Sequence, residues 1–204
     1  MKAGTVILCF TILIIGFVIY FSFSTGNEDY FSSIKAERER KDDWFRSSPD
    51  SPFYNQKNSF HGLKYYAPDL KYKVTATLEP IKERKIATVY TNTGSVEHYL
   101  EYAYANFKLE GAQKLLILEV LEKGAKNGNL FLALTDKTSA KETYGSGRYL
   151  DIRKVRGEST IELDFNRLYN PYCAYSDNFS CPFPPKENNL TIPILAGEKQ
   201  YKPN

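Results

Sequence analysis

The distribution of apolar and polar positions changes character twice along this chain. Between Thr5 and Phe23 there is no alternation: TVILCFTILIIGFVIYFSF is 19 residues without a charge. A bilayer-spanning helix needs about 20 apolar residues, and the apolar region of a signal peptide about 7–15. The length predicts a transmembrane anchor over residues 1–24. A cleaved signal peptide is the alternative, with Ser22 and Ser24 as small residues near a cut. Lys2 ahead of the run, and Glu28 and Asp29 behind it, point the N-terminus inward and the body to a periplasmic or extracytoplasmic face. Cleavage would instead leave the body secreted.

From Asn27 the pattern turns helical and charged. Asn27 suits an N-cap, with Glu28 and Asp29 in the first turn. Phe31 and Ile34 begin an apolar face and Trp44 and Phe45 end it. Between them Lys35–Glu39, Glu37–Lys41 and Arg38–Asp42 stand at (i, i+4) spacing. This predicts a charged juxtamembrane helix within 25–52, stopped by Ser48-Pro49-Asp50-Ser51-Pro52, because proline cannot continue a helix.

Past Pro52 the period becomes two. Tyr72, Val74, Ala76 and Leu78 alternate with Lys71, Lys73, Thr75 and Thr77, the mark of a half-buried strand. Further strands are predicted over Lys85–Tyr90, Val96–Leu109, Lys114–Leu121, Asn129–Leu134, Tyr149–Val155, Ser159–Asn166 and Leu190–Leu195. Turn chemistry separates most of them: Asn92-Thr93-Gly94, Glu110-Gly111, Lys126-Asn127-Gly128 and Arg156-Gly157. The expectation is an all-β body over 53–204, an antiparallel β-sandwich or partly open β-barrel meander, preceded by the membrane helix and the charged helix.

Composition supports sheet: aromatic residues make up 15% of the chain, led by 16 Tyr and 13 Phe, against a single Met. The formal charge is +3, from 27 basic and 24 acidic residues. Basic residues alternate with acidic ones, which argues against a nucleic-acid partner. His61 and His98 lie far apart on predicted strands or loops and read as surface or satisfied residues. With two Cys and two His in the body, a structural zinc site would need all four to converge. No metal and no cofactor is expected.

Chemistry-bearing residues crowd into Leu134–Glu198. Thr135-Asp136-Lys137-Thr138 reads as a turn in which Asp136 bonds its own backbone. Gly145-Ser146-Gly147 lacks the spacing of a phosphate loop or a nucleophile elbow. Arg148 can pair bidentately with Asp136, Glu142, Asp164 or a ligand carboxylate. Asp164 and Asn166 share the polar face at a strand end. Tyr169-Asn170-Pro171-Tyr172-Cys173-Ala174-Tyr175 supplies flat amphipathic rings of the kind that line sugar or peptide sites. Cys173 and Cys181, with seven residues between them, read most simply as a disulfide in an oxidising compartment. A metal site or a nucleophilic Cys173 are the alternatives. Asn178-Phe179-Ser180 and Asn189-Leu190-Thr191 match the glycosylation pattern.

At these residues the chain resembles a prokaryotic family without assigned activity, the domain of unknown function 1684 family. The resemblance runs from about Glu39 to Lys199. It is carried by Trp44-Phe45-Arg46, Ser51-Pro52, Gly62-Leu63 with Tyr65-Tyr66, Asp136-Lys137-Thr138 with Glu142-Thr143-Tyr144, and Gly147-Arg148-Tyr149-Leu150-Asp151. Asp164-Phe165-Asn166, Tyr169 through Tyr175, Cys181-Pro182 with Pro184-Pro185, and Ala196-Gly197-Glu198 complete it. Where the family pattern has Gly before the Glu-Thr-Tyr run, this chain carries Ser139-Ala140-Lys141. The resemblance also implies members without an anchor.

Three functional expectations follow. The first is a binding module whose cleft, built from Asp136, Glu142, Tyr144, Arg148, Asp164, Asn166, Tyr169, Asn170 and Tyr175, takes a small polar ligand such as a sugar, peptide or carboxylate. The second is a structural or envelope interaction protein in which the same residues lock long loops. The third is a hydrolase using Asp136, Glu142 and Asp164 as acid and base.

Overall fold

A computed structural model of the chain describes residues 3–54, 60–121, 129–153 and 157–201, with helix side chains described at 11–15, 17 and from 26 onward. The chain divides into two compact units, Met1–Asp43 and Trp44–Asn204. Helix α1, Ala3–Ser47, runs for 45 residues. It makes up the described part of the first unit and gives its last turn to the second.

Within the first unit the helix does not break between the apolar and the charged segments. Lys35 and Glu39 form the expected (i, i+4) pair at 3.9 Å. The anchor expectation is corrected here: among the described residues no helix is long and apolar enough to cross a membrane. The described apolar side chains of that stretch, Ile12–Ile15 and Phe17, are exposed. The other side chains of 5–23 lie outside the described residues. The membrane as partner, and the extracytoplasmic location that rested on it, are withdrawn on the same finding.

The second unit is built on one antiparallel sheet. Its strands are β1 (Lys73–Pro80), β2 (Ile86–Tyr90), β3 (Val96–Lys108), β4 (Ala112–Val120), β5 (Asn129–Leu134), β6 (Arg148–Arg153) and β7 (Thr160–Asp164). They lie in the order β6-β5-β4-β3-β1-β7, with β2 also on β3. β3 organises this arrangement. One edge pairs with β4, and the other pairs first with β2 over 96–100 and then with β1 over 103–106. A register shift between Glu101 and Ala103 separates the two partners, as a bulge that bends a strand does. The β3–β4 hairpin turns at Glu110 and Gly111, both at positive φ, the conformation that matches the right-handed twist of the flanking strands. The expected turns at Lys126-Asn127-Gly128 and at Arg156 lie outside the described residues.

Leu115–Leu118 of β4 and Leu130–Leu134 of β5 are continuous apolar runs because both of their faces are covered. Leu115, Ile117, Leu130, Leu132 and Leu134 enter one cluster with Ala105, Phe107, Leu150, Leu163 and Phe165. Leu116, Leu118, Phe131 and Ala133 enter a second with Val89, Tyr99 and Tyr149. The first cluster draws side chains from β6 and from β7, the two ends of the sheet order. The sheet therefore curls to a near-barrel. A cavity of about 320 Å³ lies between these two strands, lined among others by Leu78, Leu150, Asp151, Ile161, Asp164 and Arg167. A third cluster joins Phe45, Phe53, Phe60 and Tyr175, with Phe53 and Phe60 ring centres 4.8 Å apart.

The all-β expectation is thereby corrected to a mixed α/β fold: one near-barrel sheet with a long helix and short 3-10 turns. Two sheets packed as a sandwich are not formed among the described residues. The expected strand Leu190–Leu195 is also absent. Pro193 removes a ladder donor from its middle, and neighbouring carbonyls serve a buried arginine instead.

Candidate functional site

Arg148 opens β6 and is 1% exposed as a side chain, as is Asp136. The two pair at 2.8 Å through Nη2 and Oδ2. The guanidinium also donates to the carbonyls of Ile194 (3.0 Å), Ala196 and Glu198 (3.3 Å). Asp136 Oδ1 accepts from the Thr138 amide (2.7 Å), the Thr138 hydroxyl (2.6 Å) and the Ile194 amide (3.3 Å). Thr138 and Thr143 share a hydroxyl contact at 2.8 Å. Asp136 thus caps the turn after β5, and Arg148 joins that turn to the C-terminal segment. Gly147 beside it has φ +97, and a Cβ there would lie 2.6 Å from the Leu134 carbonyl and the Pro184 ring.

A second cluster surrounds Glu198, which is fully buried. Its Oε1 accepts from the Tyr175 hydroxyl and from Asn170 Nδ2 (2.9 Å), and its Oε2 from the Asn170 amide (3.3 Å). Asn170 Nδ2 also reaches the Lys199 carbonyl at 2.9 Å. Burial first, and the Glu198 carboxylate second, hold the Tyr175 phenol well above its ordinary pKa. Arg148 bonds the Glu198 carbonyl, so the two clusters are continuous.

Asp164 and Asn166 form a third cluster. Asn166 pairs with the backbone of Asp69 through both amide atoms, at 2.9 and 2.8 Å. Asp164 Oδ1 caps the following 3-10 turn through the Asn166 amide at 3.1 Å, and its Oδ2 accepts from Arg167 Nε at 3.1 Å. The remaining expected residues are spread out. Tyr169 donates to Asp151 at 3.0 Å and meets Tyr149 edge to face. Tyr144 donates to the Cys173 sulfur at 3.6 Å. Glu142 is exposed, and its carbonyl accepts from the Gln200 amide at 2.9 Å.

The structure therefore brings Asp136 to Arg148, Asn170 to Tyr175 and Asp164 to Asn166, without assembling the nine as the wall of one open cleft. Arg148, Asp136, Asn166 and Asn170 bond chiefly to the protein's own backbone, and Tyr144, Tyr169 and Tyr175 to its side chains. The cavity between β6 and β7 takes Asp164 but not Asp136, Arg148, Asn170 or Tyr175. The expected ligand cleft is corrected accordingly. The three carboxylates of the hydrolase expectation are also dispersed in role, with Asp136 held by Arg148, Asp164 held by Arg167 and Glu142 exposed. Cys173 and Cys181 are buried thiols in this structure. Among the described residues no group of three or more His, Cys, Asp or Glu is placed to hold a metal.

Two residues of this network were not singled out from sequence. Glu198 lies past the last predicted strand, and the adjoining Gly197, at φ +75 and with Leu168 O 2.6 Å from a built Cβ, marks a tight approach. Asn188 is fully buried in a loop. Its amide donates to the carbonyls of Leu116 and Ala133, each at 2.9 Å, and its Oδ1 accepts from the Leu116 amide at 2.7 Å. Among the described residues β4 and β5 pair at Leu118–Phe131 and Glu119–Leu130. Asn188 fills the opening beyond with a side-chain amide acting as a piece of strand. Asn next to Asn after a Pro-rich run carries no periodic signal for such a role.

A family model described as Protein of unknown function (DUF1684) matches residues 58–199. The solution NMR structure of an uncharacterised protein from Haloarcula marismortui is similar at 33% identity, covering 85% of this chain and 95% of that one, with a TM-score of 0.65. No curated protein matches.

Proposed function

Since the chain belongs to the family of proteins of unknown function DUF1684, no activity comes with its membership, and we propose from the geometry that it serves as a structural or interaction protein. The polar network pins the turn after β5 and the C-terminal segment into one fixed surface for a partner to meet. The observation that carries this reading is the Arg148–Asp136 pair, closed to solvent on both sides and bonded to backbone groups of 138, 194, 196 and 198, with Arg148 Nε as its one N–H without a partner among the described residues. A ligand site keeps its polar groups open to the ligand, whereas here both charged side chains are closed off and four of the guanidinium's hydrogen bonds are made internally. A buried ion pair adds little net stability compared with apolar packing, and its attested use is to select one arrangement over others.

Hydrogen exchange on an Arg148→Lys variant tests this. A point-like ammonium cannot reproduce the planar fork that reaches a carboxylate and three carbonyls at once. The amides of Thr138 and Ile194, which donate to Asp136, and of Glu198 and Gln200 are expected to exchange at least about tenfold faster, following the loss of about 1.4 kcal/mol or more of local stability. The amides of β3 and β4 should change less. Unchanged exchange at those four amides overturns the reading.

A further inference from the structure

Apart from that network, the second unit holds a pair of buried thiols. Each is fixed by its own anchor. Cys173 lies in a 3-10 turn, Tyr172–Ala174. Cys181 is bound to the β2–β3 turn: its amide donates to Asn92 Oδ1 at 2.7 Å and its carbonyl accepts from the Asn92 amide at 3.1 Å. The following residues continue that attachment, with the Phe183 amide on the Tyr90 carbonyl at 2.8 Å. Between the anchors the chain makes a loop of seven residues, 174–180. At its closure the Cys173 amide donates to the Cys181 sulfur at 3.2 Å. The Cys173 sulfur is only three bonds from that amide, so the two sulfurs are neighbours.

The pair is asymmetric. The Cys181 thiol and the Tyr144 hydroxyl both hydrogen-bond to the Cys173 sulfur, and against the opposing effect of burial they bring its pKa down to about 7. The same contact and burial push Cys181 up. Cys173 also keeps more exposure, 9% against 6%. A thiol whose pKa lies near the ambient pH combines a useful thiolate fraction with retained nucleophilicity.

We propose that Cys173 and Cys181 form a reversible dithiol–disulfide couple, oxidised by a low-molecular-weight disulfide, with Cys173 attacking and Cys181 resolving. The Cys173 thiolate attacks one sulfur of the small disulfide and expels its other half as a thiolate. Cys181, on losing its proton, then attacks the Cys173 sulfur of the mixed disulfide and expels the second half. Two cysteine thiols and one small disulfide become one protein disulfide and two small thiols, so electrons and protons balance. Oxidation ties the 3-10 turn covalently to the segment held by Asn92, and reduction leaves the same contact as a hydrogen bond.

The experiment uses the full chain with Cys9→Ser, leaving two thiols, equilibrated in glutathione buffers from reducing to oxidising and then alkylated and weighed. Two alkylated thiols in reducing buffer and none in oxidising buffer, without added glutathione mass, are expected. A rise in Tm of about 5–10 °C should accompany closure of so short a ring. Adding Cys181→Ser should trap one glutathione on Cys173, with a rate that climbs through about pH 7. Adding Cys173→Ser should slow capture at Cys181 at least tenfold. Two thiols still open in the most oxidising buffer, or a Tm lowered on oxidation, overturn the couple. A trapping rate that climbs only above about pH 8.5, the range of a free cysteine, overturns Cys173 as the attacking thiol. Should a serine variant fail to fold, thiol count and Tm of the Cys9→Ser chain decide the matter alone.

Discussion

Replacing Arg148 by alanine removes the guanidinium that pairs with Asp136 in a site closed to water. Four hydrogen bonds go with it: one to the Asp136 carboxylate at 2.8 Å, and three to the carbonyls of Ile194, Ala196 and Glu198. Leaving one partner of a buried pair uncompensated costs about 3–5 kcal/mol. Each stranded carbonyl adds up to about 1–3 kcal/mol, reduced because neighbours relax and the losses share one site. A total of about 4–6 kcal/mol is expected, a large share of the roughly 5–15 kcal/mol that domains possess. At about 2–4 °C per kcal/mol for a chain of this size, Tm should fall by about 10–20 °C. Urea unfolding followed by fluorescence of Trp44, the single tryptophan, measures the loss. A double-mutant cycle with Asp136→Asn isolates the pair, and a coupling energy above about 2 kcal/mol is expected. A loss under about 1.5 kcal/mol, or coupling within about 0.5 kcal/mol of zero, would refute the reasoning, because the pair would then behave as a surface salt bridge does.

Asn188→Ala should cost about 3 kcal/mol or more in urea unfolding, because the Leu116 amide and the carbonyls of Leu116 and Ala133 lose their partner together. Asn188→Asp should be worse, since a carboxylate cannot donate to either carbonyl. Gly147→Ala should lower Tm far more than Gly94→Ala. Both glycines have positive φ, but the new Cβ meets Leu134 O and Pro184 at 2.6 Å in the first case and open space in the second, so Gly94→Ala carries only the conformational cost of about 1–2 kcal/mol. Stability should also fall as pH rises past the ordinary tyrosine value near 10. Burial raises the pKa of Tyr149 and Tyr169 in the folded chain, so the unfolded chain releases these protons first and gains from every further rise. Urea midpoints from neutral to alkaline pH, read beside phenolate absorbance, check this; phenolate appearing at those residues before unfolding would contradict it.

What could be read from sequence was whatever depends on neighbours along the chain. Period-two alternation located β1, the even run of Asn129–Leu134 located β5 to the residue, and Glu110-Gly111 located a hairpin whose backbone demands positive φ at two successive positions. The crowding of polar residues in Leu134–Glu198 was legible too, as was the ability of Arg148 to pair with Asp136. Local pattern does not state where a side chain's partners come from. The carbonyls that Arg148 bonds lie 46 to 50 residues away, and the backbone groups that Asn188 bonds lie 55 and 72 away. Whether such a cluster opens on a ligand or closes on itself is decided by which distant carbonyls arrive, which only chain packing sets. The same reason lets Leu115–Leu118 of β4 and Leu130–Leu134 of β5 be apolar on both faces: composition supplies the affinity for apolar surroundings, and the tertiary structure supplies the surroundings.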